Sequence, residues 1–144
     1  MTFGSTPSQP PAGHIYTVEI RFYGDNLDPS EISRRIGLLP SVSHLTVGPL
    51  SRPMRPFWGY NGHDADGFLP EWRALEDGLR VLVRRLAAKR STVAELSQAY
   101  DGVWWCGHFQ SAFDGGPRLS PETLAEIAAY GLPLYIDNYH SDEG

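Results

Sequence analysis

Residues 14–23 alternate in character. Tyr16, Val18, Ile20 and Phe22 fall on one side of an extended chain, and Thr17, Glu19, Arg21 and Tyr23 on the other, which predicts a half-buried strand. Gly24-Asp25-Asn26 then turns the chain into a helix over 28–36, whose Ile32 and Ile36 lie four apart on one face. Prolines at 40, 49, 53 and 56 exclude a long central strand from the next stretch. That stretch reads as a short strand around 45–47, a proline-broken loop and a second strand around 57–60, followed by a polar turn over 61–67. Trp72, Leu75, Leu79, Leu82 and Leu86 have the three-and-four spacing of an amphipathic helix over 71–89. Gly78 inside it costs about 1 kcal/mol relative to alanine, which points to a close approach at that position. A short helix runs from Ser91 or Thr92 to Ala99. The strand over 103–110 carries apolar bulk on both faces, Val103-Trp105-Gly107-Phe109 and Trp104-Cys106-His108-Gln110, as a central strand does. A helix over 121–130 and a strand over 132–139 close the chain.

One phrase occurs twice. Leu27-Asp28-Pro29-Ser30-Glu31 and Leu119-Ser120-Pro121-Glu122-Thr123 each open a helix with a capping side chain and a proline in the first position. Each helix ends in Gly37-Leu38-Leu39-Pro40 or Gly131-Leu132-Pro133. Both copies follow an apolar strand. The resulting order β-α-β-β-α-α-β-α-β, with its pseudo-twofold β-α repeat, predicts an α+β fold. The expected architecture is a two-layer ferredoxin-like sandwich, with a mainly antiparallel sheet and helices on one face.

The length of 144 residues suits one domain with a sizeable core. Residues 1–13, rich in Pro, Ser and Gly, read as a disordered tail, 14–140 as the domain and 141–144 as a flexible C-terminus. The net charge of −5 disfavours nucleic acid as a partner. Charge is unevenly spread, because residues 71–90 carry Arg73, Arg80, Arg84, Arg85, Lys89 and Arg90 against Glu71, Glu76 and Asp77; this run reads as a solvated helix face. Cys106 is the single cysteine, so no internal disulfide or cysteine metal cluster forms. With no apolar run of bilayer length and no signal-peptide pattern, a cytoplasmic protein with no membrane partner is expected.

Candidate chemistry is sparse. Asp64-Ala65-Asp66-Gly67 resembles part of a calcium loop but lacks the remaining ligands. His14, His44, His63, His108 and His140 share no metal spacing, so neither a metal nor a cofactor is expected. Cys106 reads as a buried, inert thiol and His108 as a packed strand residue. The helix start at 120 has its own serine cap. What remains is a surface. The sheet face away from the helices is expected to show Glu19, Arg21, Tyr23, Tyr135, Asp137 and Tyr139, with Trp104 and His108 beside them, and aromatics mixed with charge suit a binding surface.

The chain resembles the bacterial domain of unknown function 4279 family over roughly residues 15–140. The resemblance rests on the opening strand with Gly24-Asp25-Asn26-Leu27-Asp28-Pro29, on Val47-Gly48 with Trp58, on the helices from 71 and 92, and on Leu132-Pro133-Leu134-Tyr135-Ile136-Asp137-Asn138-Tyr139. It implies a small single-domain protein and brings no catalytic residue with it. Proteins of this kind often resemble immunity or accessory proteins of toxin systems. The leading expectation is thus a non-enzymatic module that binds a protein, such as a basic toxin, through Arg21, Tyr23, Trp104, Tyr135 and Tyr139. Two alternatives stand beside it: a small enzyme or ligand-binding protein using Glu19, His108 and Asp137 as acid–base groups, and a homodimeric scaffold.

Overall fold

The computed structural model describes residues 13–44 and 55–141. The strand expected at 45–47 falls outside them, as do the tail up to residue 12 and the last three residues. Strand β1 (His14–Tyr23) lies at the centre of a five-stranded mixed sheet of order β2-β3-β1-β4-β5. It pairs antiparallel with β4 (Asp101–Gln110) along its whole length and with β3 (Phe57–Tyr60) over its second half. β2 (Val42–His44) is antiparallel to β3, whereas β5 (Leu134–His140) is parallel to β4. The parallel pair requires a crossover, which helix α4 (Pro121–Ala128) supplies.

The repeated phrase makes two capped helices. Asp28 accepts a hydrogen bond from the Ser30 amide (3.0 Å) at the start of α1 (Pro29–Ile36). Ser120 accepts one from the Thr123 amide (3.2 Å) at the start of α4. The two connections differ: α1 carries the chain from β1 past β3 to the edge strand β2, whereas α4 joins neighbouring strands. Helix α2 (Leu75–Leu86), a 3-10 turn (Ala87–Lys89) and α3 (Arg90–Ala99) run nearly continuously between β3 and β4.

α2 begins later than its apolar spacing suggests, because Trp72 is held in extended form. Its amide and carbonyl exchange 2.7 Å hydrogen bonds with those of Tyr16, filling the edge of β1 that β3 leaves open. The buried Trp72 ring then lies against Gly78, where a Cβ atom would stand only 2.9 Å away. This is the close approach expected of a helical glycine.

The alternation of β1 sets the two sides of the sheet. Tyr16, Val18, Ile20 and Phe22 face inward together with Trp58, Tyr60, Trp104 and Cys106, and they meet Ile32, Ile36, Leu75, Leu79, Leu82, Leu86, Val93 and Leu96 from the helices in one core. Trp58 Nε1 donates to Ser33 Oγ (2.9 Å) and Trp104 Nε1 to the Ile127 carbonyl (3.2 Å), so the polar edges of these buried rings are satisfied.

Candidate functional site

The outward side of the sheet is read from its register. Thr17, Glu19, Arg21 and Tyr23 of β1 lie beside Gly107, Trp105, Val103 and Asp101 of β4, and Trp105, Gly107 and Phe109 lie beside Tyr135, Asp137 and Tyr139 of β5. Arg21 organises the centre. Its guanidinium carbon sits 4.0 Å from the Trp105 ring centroid and 5.6 Å from that of Phe57. Its Nε donates to Glu19 Oε1 (2.5 Å) and its Nη1 to the Tyr23 hydroxyl (2.9 Å). Arg21 and Glu19 are therefore committed to each other and to the rings around them.

Toward the other end of the face, Ile15, Phe109 and Tyr139 form a cross-strand row, 39%, 41% and 42% exposed, with Tyr135 at 52%. The Phe109 and Tyr139 rings stack at 4.9 Å, and the Tyr139 hydroxyl donates to Asp137, which holds the phenol above its ordinary range. Trp105 and Phe109 lean over Gly107, where an added Cβ would meet their ring carbons at 3.2 and 3.0 Å. A shallow cavity of about 270 Å³ opens beside Phe109 and Tyr139, lined also by Gly13, Gln110 and Ser111.

Of the expected surface residues, Glu19, Arg21, Tyr23, Tyr135, Asp137 and Tyr139 all lie on this side. Trp104 and His108 do not. Trp104 is fully buried against Tyr130, and His108 is 3% exposed on the inward side. The physical reason is that both faces of β4 are apolar, so its composition cannot orient it; pairing of Trp104 with Ile20 and of His108 with Tyr16 does so. Trp105 takes the outward place expected of its neighbour.

The acid–base trio is not assembled. Glu19 and Asp137 are on strands separated by β4, and His108 is on the opposite side of the sheet from both. Burial pushes the Cys106 thiol up to about 12, so it is no nucleophile near neutrality. Among the described residues no group of three or more His, Cys, Asp or Glu side chains could hold a metal ion, and no helix is long and apolar enough to cross a membrane.

A second arrangement was not legible in the sequence. His14, 5% exposed, and His108 are hydrogen-bonded through Nδ1 and Nε2 (2.8 Å). His14 Nε2 donates to the Asp114 carbonyl (2.7 Å), and His108 Nδ1 is 2.8 Å from Asn138 Oδ1. Tyr16 stacks on His108 at 4.7 Å. Three hydrogen bonds between carbonyl oxygens at both ends need three protons. Two neutral imidazoles supply two, so the row is either singly charged or has the Asn138 amide turned to donate. The only sequence signal was the shared face of His14 and Tyr16. Diagonal pairing across β1 and β4 brought in the rest.

These features define a class: a single-layer mixed sheet, covered by helices on one side and open on the other, with an aromatic row on the open side. The sequence profile of the family described as Domain of unknown function (DUF4279) matches residues 14–141, and the chain belongs to that family. Neither the curated proteins nor the solved structures contain a match to the chain.

Proposed function

We propose that this protein is a non-catalytic binding module whose working surface is the open side of the sheet and whose partner is another protein. The observation that supports this reading is the Ile15–Phe109–Tyr139 row with Tyr135 beside it, a contiguous exposed apolar patch in which tyrosine provides both ring area and a polar tip. Arg21 and Glu19 stiffen the centre of the face without presenting an unpaired charge, so docking need not break a new ion pair. Asp137 at the rim and the overall charge of −5 favour a basic partner through long-range steering. The reading extends to an immunity protein that neutralises a basic toxin, and a bacterial cytoplasm is the compartment that suits the single Cys106.

The fold reading that goes with it is ferredoxin-like: β1-α1-β2 as a crossover split by β3, β4 completing an antiparallel four-stranded core, and α4-β5 appended beyond it.

The test is recovery of a partner from the native host by the wild type and by a Phe109→Ser/Tyr139→Ser variant whose melting temperature is unchanged. Loss of one specific partner from the variant is the expected result. Equal recovery by both overturns the surface. A second copy of the chain is the other occupant of note, since β5 is a sheet edge beside the row. Sedimentation of the purified protein distinguishes the two, because self-association abolished by the same variant would assign the face to a homodimer.

A further inference from the structure

On the helix side, where β1 begins, a partly open cavity of about 330 Å³ is lined by His14, Tyr16, Arg73, Ala74, Leu75 and the Gly115–Arg118 loop. It lies at the small end of the range for ligand sites, roughly 300–1,000 Å³. Three independent features of its wall favour negative charge. First, Tyr16 is only 3% exposed, yet its hydroxyl has no hydrogen-bond partner among the described residues. Since no fully enclosed side-chain polar atom lacks a partner among them, that oxygen keeps access to the cavity Tyr16 lines. Burial holds the phenol in its protonated, donating form.

Second, Arg73 and Arg118 both stand on the cavity wall, and neither is ion-paired among the described residues, a state they share with Arg80, Arg84 and Arg90 elsewhere. Among the described residues no carboxylate lines the cavity, although the chain as a whole is acidic. Third, α2 starts here. Its N-cap is Ala74, which offers no side-chain oxygen to the first amides, in contrast with the aspartate and serine caps of α1 and α4; Glu76 and Asp77 stand in the first turn, and Glu76 is turned away to accept from the Ser120 amide.

The loop is built to stay in place. Gly115 has φ +94°, and a Cβ there would approach His14 Nε2 to 3.1 Å, so only glycine lets the loop lie against the ring that the Asp114 carbonyl grips. The histidine row thus positions both the Tyr16 ring, by stacking, and the strand of loop that carries Arg118.

We propose that this cavity binds a small organic oxyanion, a phosphate or carboxylate, whose oxygens take the Tyr16 hydroxyl, the first amides of α2 and the two arginines. The ligand's non-polar part would rest on Leu75, Ala74 and Pro117.

Amide chemical shifts of the full chain, titrated with inorganic phosphate and separately with acetate, test this, with chloride at matched ionic strength as control. A saturable shift centred on Leu75, Glu76, Gly115 and Gly116 is expected, and the stronger of the two anions names the oxyanion. Arg73→Ala/Arg118→Ala, two exposed positions, should weaken binding about tenfold or more at an unchanged melting temperature. Tyr16→Phe removes only a hydroxyl that has no partner among the described residues, and should weaken binding several-fold with the fold intact. A response matched by chloride, or one that the arginine or tyrosine variants leave undiminished, overturns the proposal.

Discussion

Trp104 and Trp105 are adjacent in the chain and have opposite fates. Trp104 is fully buried, edge-on to Tyr130 (5.3 Å), its indole N–H spent on the Ile127 carbonyl. Trp105 lies on the open side beneath the Arg21 guanidinium, half-covered by a neighbour that is itself partly solvated. The same side chain is core in one position and platform in the next. What separates them is the pleat, which sends successive residues to opposite sides, together with the helices, which cover only one of those sides. The difference also divides labour, since the inward side carries the stability and the outward side is free of that demand, as the proposed docking role requires.

The largest expected effect probes this division directly. Trp104→Ala should cost about 3–5 kcal/mol in denaturant unfolding, because it empties a fully buried site and removes one of the two donors, beside the Tyr130 amide, to the Ile127 carbonyl. Trp105→Ala should cost about 1 kcal/mol or less, for an exposed-side cation–π contact and partial burial. Equal losses would mean that the two sides are energetically alike and would break the comparison. Next in size is Gly78→Ala. Alanine favours helix by about 1 kcal/mol, but its Cβ would press into the buried Trp72 ring, and overpacking of roughly 1–3 kcal/mol should win. A stabilised variant would show that Trp72 yields freely.

A smaller effect concerns pH. The Tyr60 hydroxyl donates to Asp64, and Arg85 Nη2 lies 3.2 Å from the same carboxylate; the hydrogen bond first and the arginine second hold Asp64 below its ordinary value. A depressed carboxylate contributes stability that is present above its unfolded value and is lost as pH falls through the folded one. Asp64→Asn should therefore lower stability modestly at neutral pH and flatten the acid limb of the unfolding curve, the carboxylate being well exposed. An unchanged acid limb would remove Asp64 from the account. Smallest of all, Phe109→Ser/Tyr139→Ser should leave stability within about 0.5 kcal/mol while removing the proposed docking surface. A large loss would show the outward row to be structural after all.

Much of the fold was legible because local rules govern it. The alternation of β1, the caps and prolines of α1 and α4, and the apolar stripe of α2 each follow from steric and hydrogen-bond requirements within a few residues. The boundary of α2 was less so, since Trp72 fits the stripe but is drawn into extended form by the unpaired edge of β1 at Tyr16. For the open side, the polar and aromatic positions of β1 and β5 identified Arg21, Tyr23, Tyr135 and Tyr139. β4 resisted, because Trp104 and Trp105 are indistinguishable until β1 sets the register.

By itself, then, the sequence determined which segments extend and which coil, where two helices start, and the sidedness of any strand whose two faces differ in polarity. Only the tertiary structure decided which tryptophan of β4 is buried, that His14 and His108 share a hydrogen bond across 94 positions of sequence, and that Tyr16, Arg73, Arg118 and the bare start of α2 converge on one cavity. The reason is the range of the forces involved. Caps and alternation act over one turn or one pleat, whereas register and convergence arise when distant strands and helices bury their apolar faces against one another.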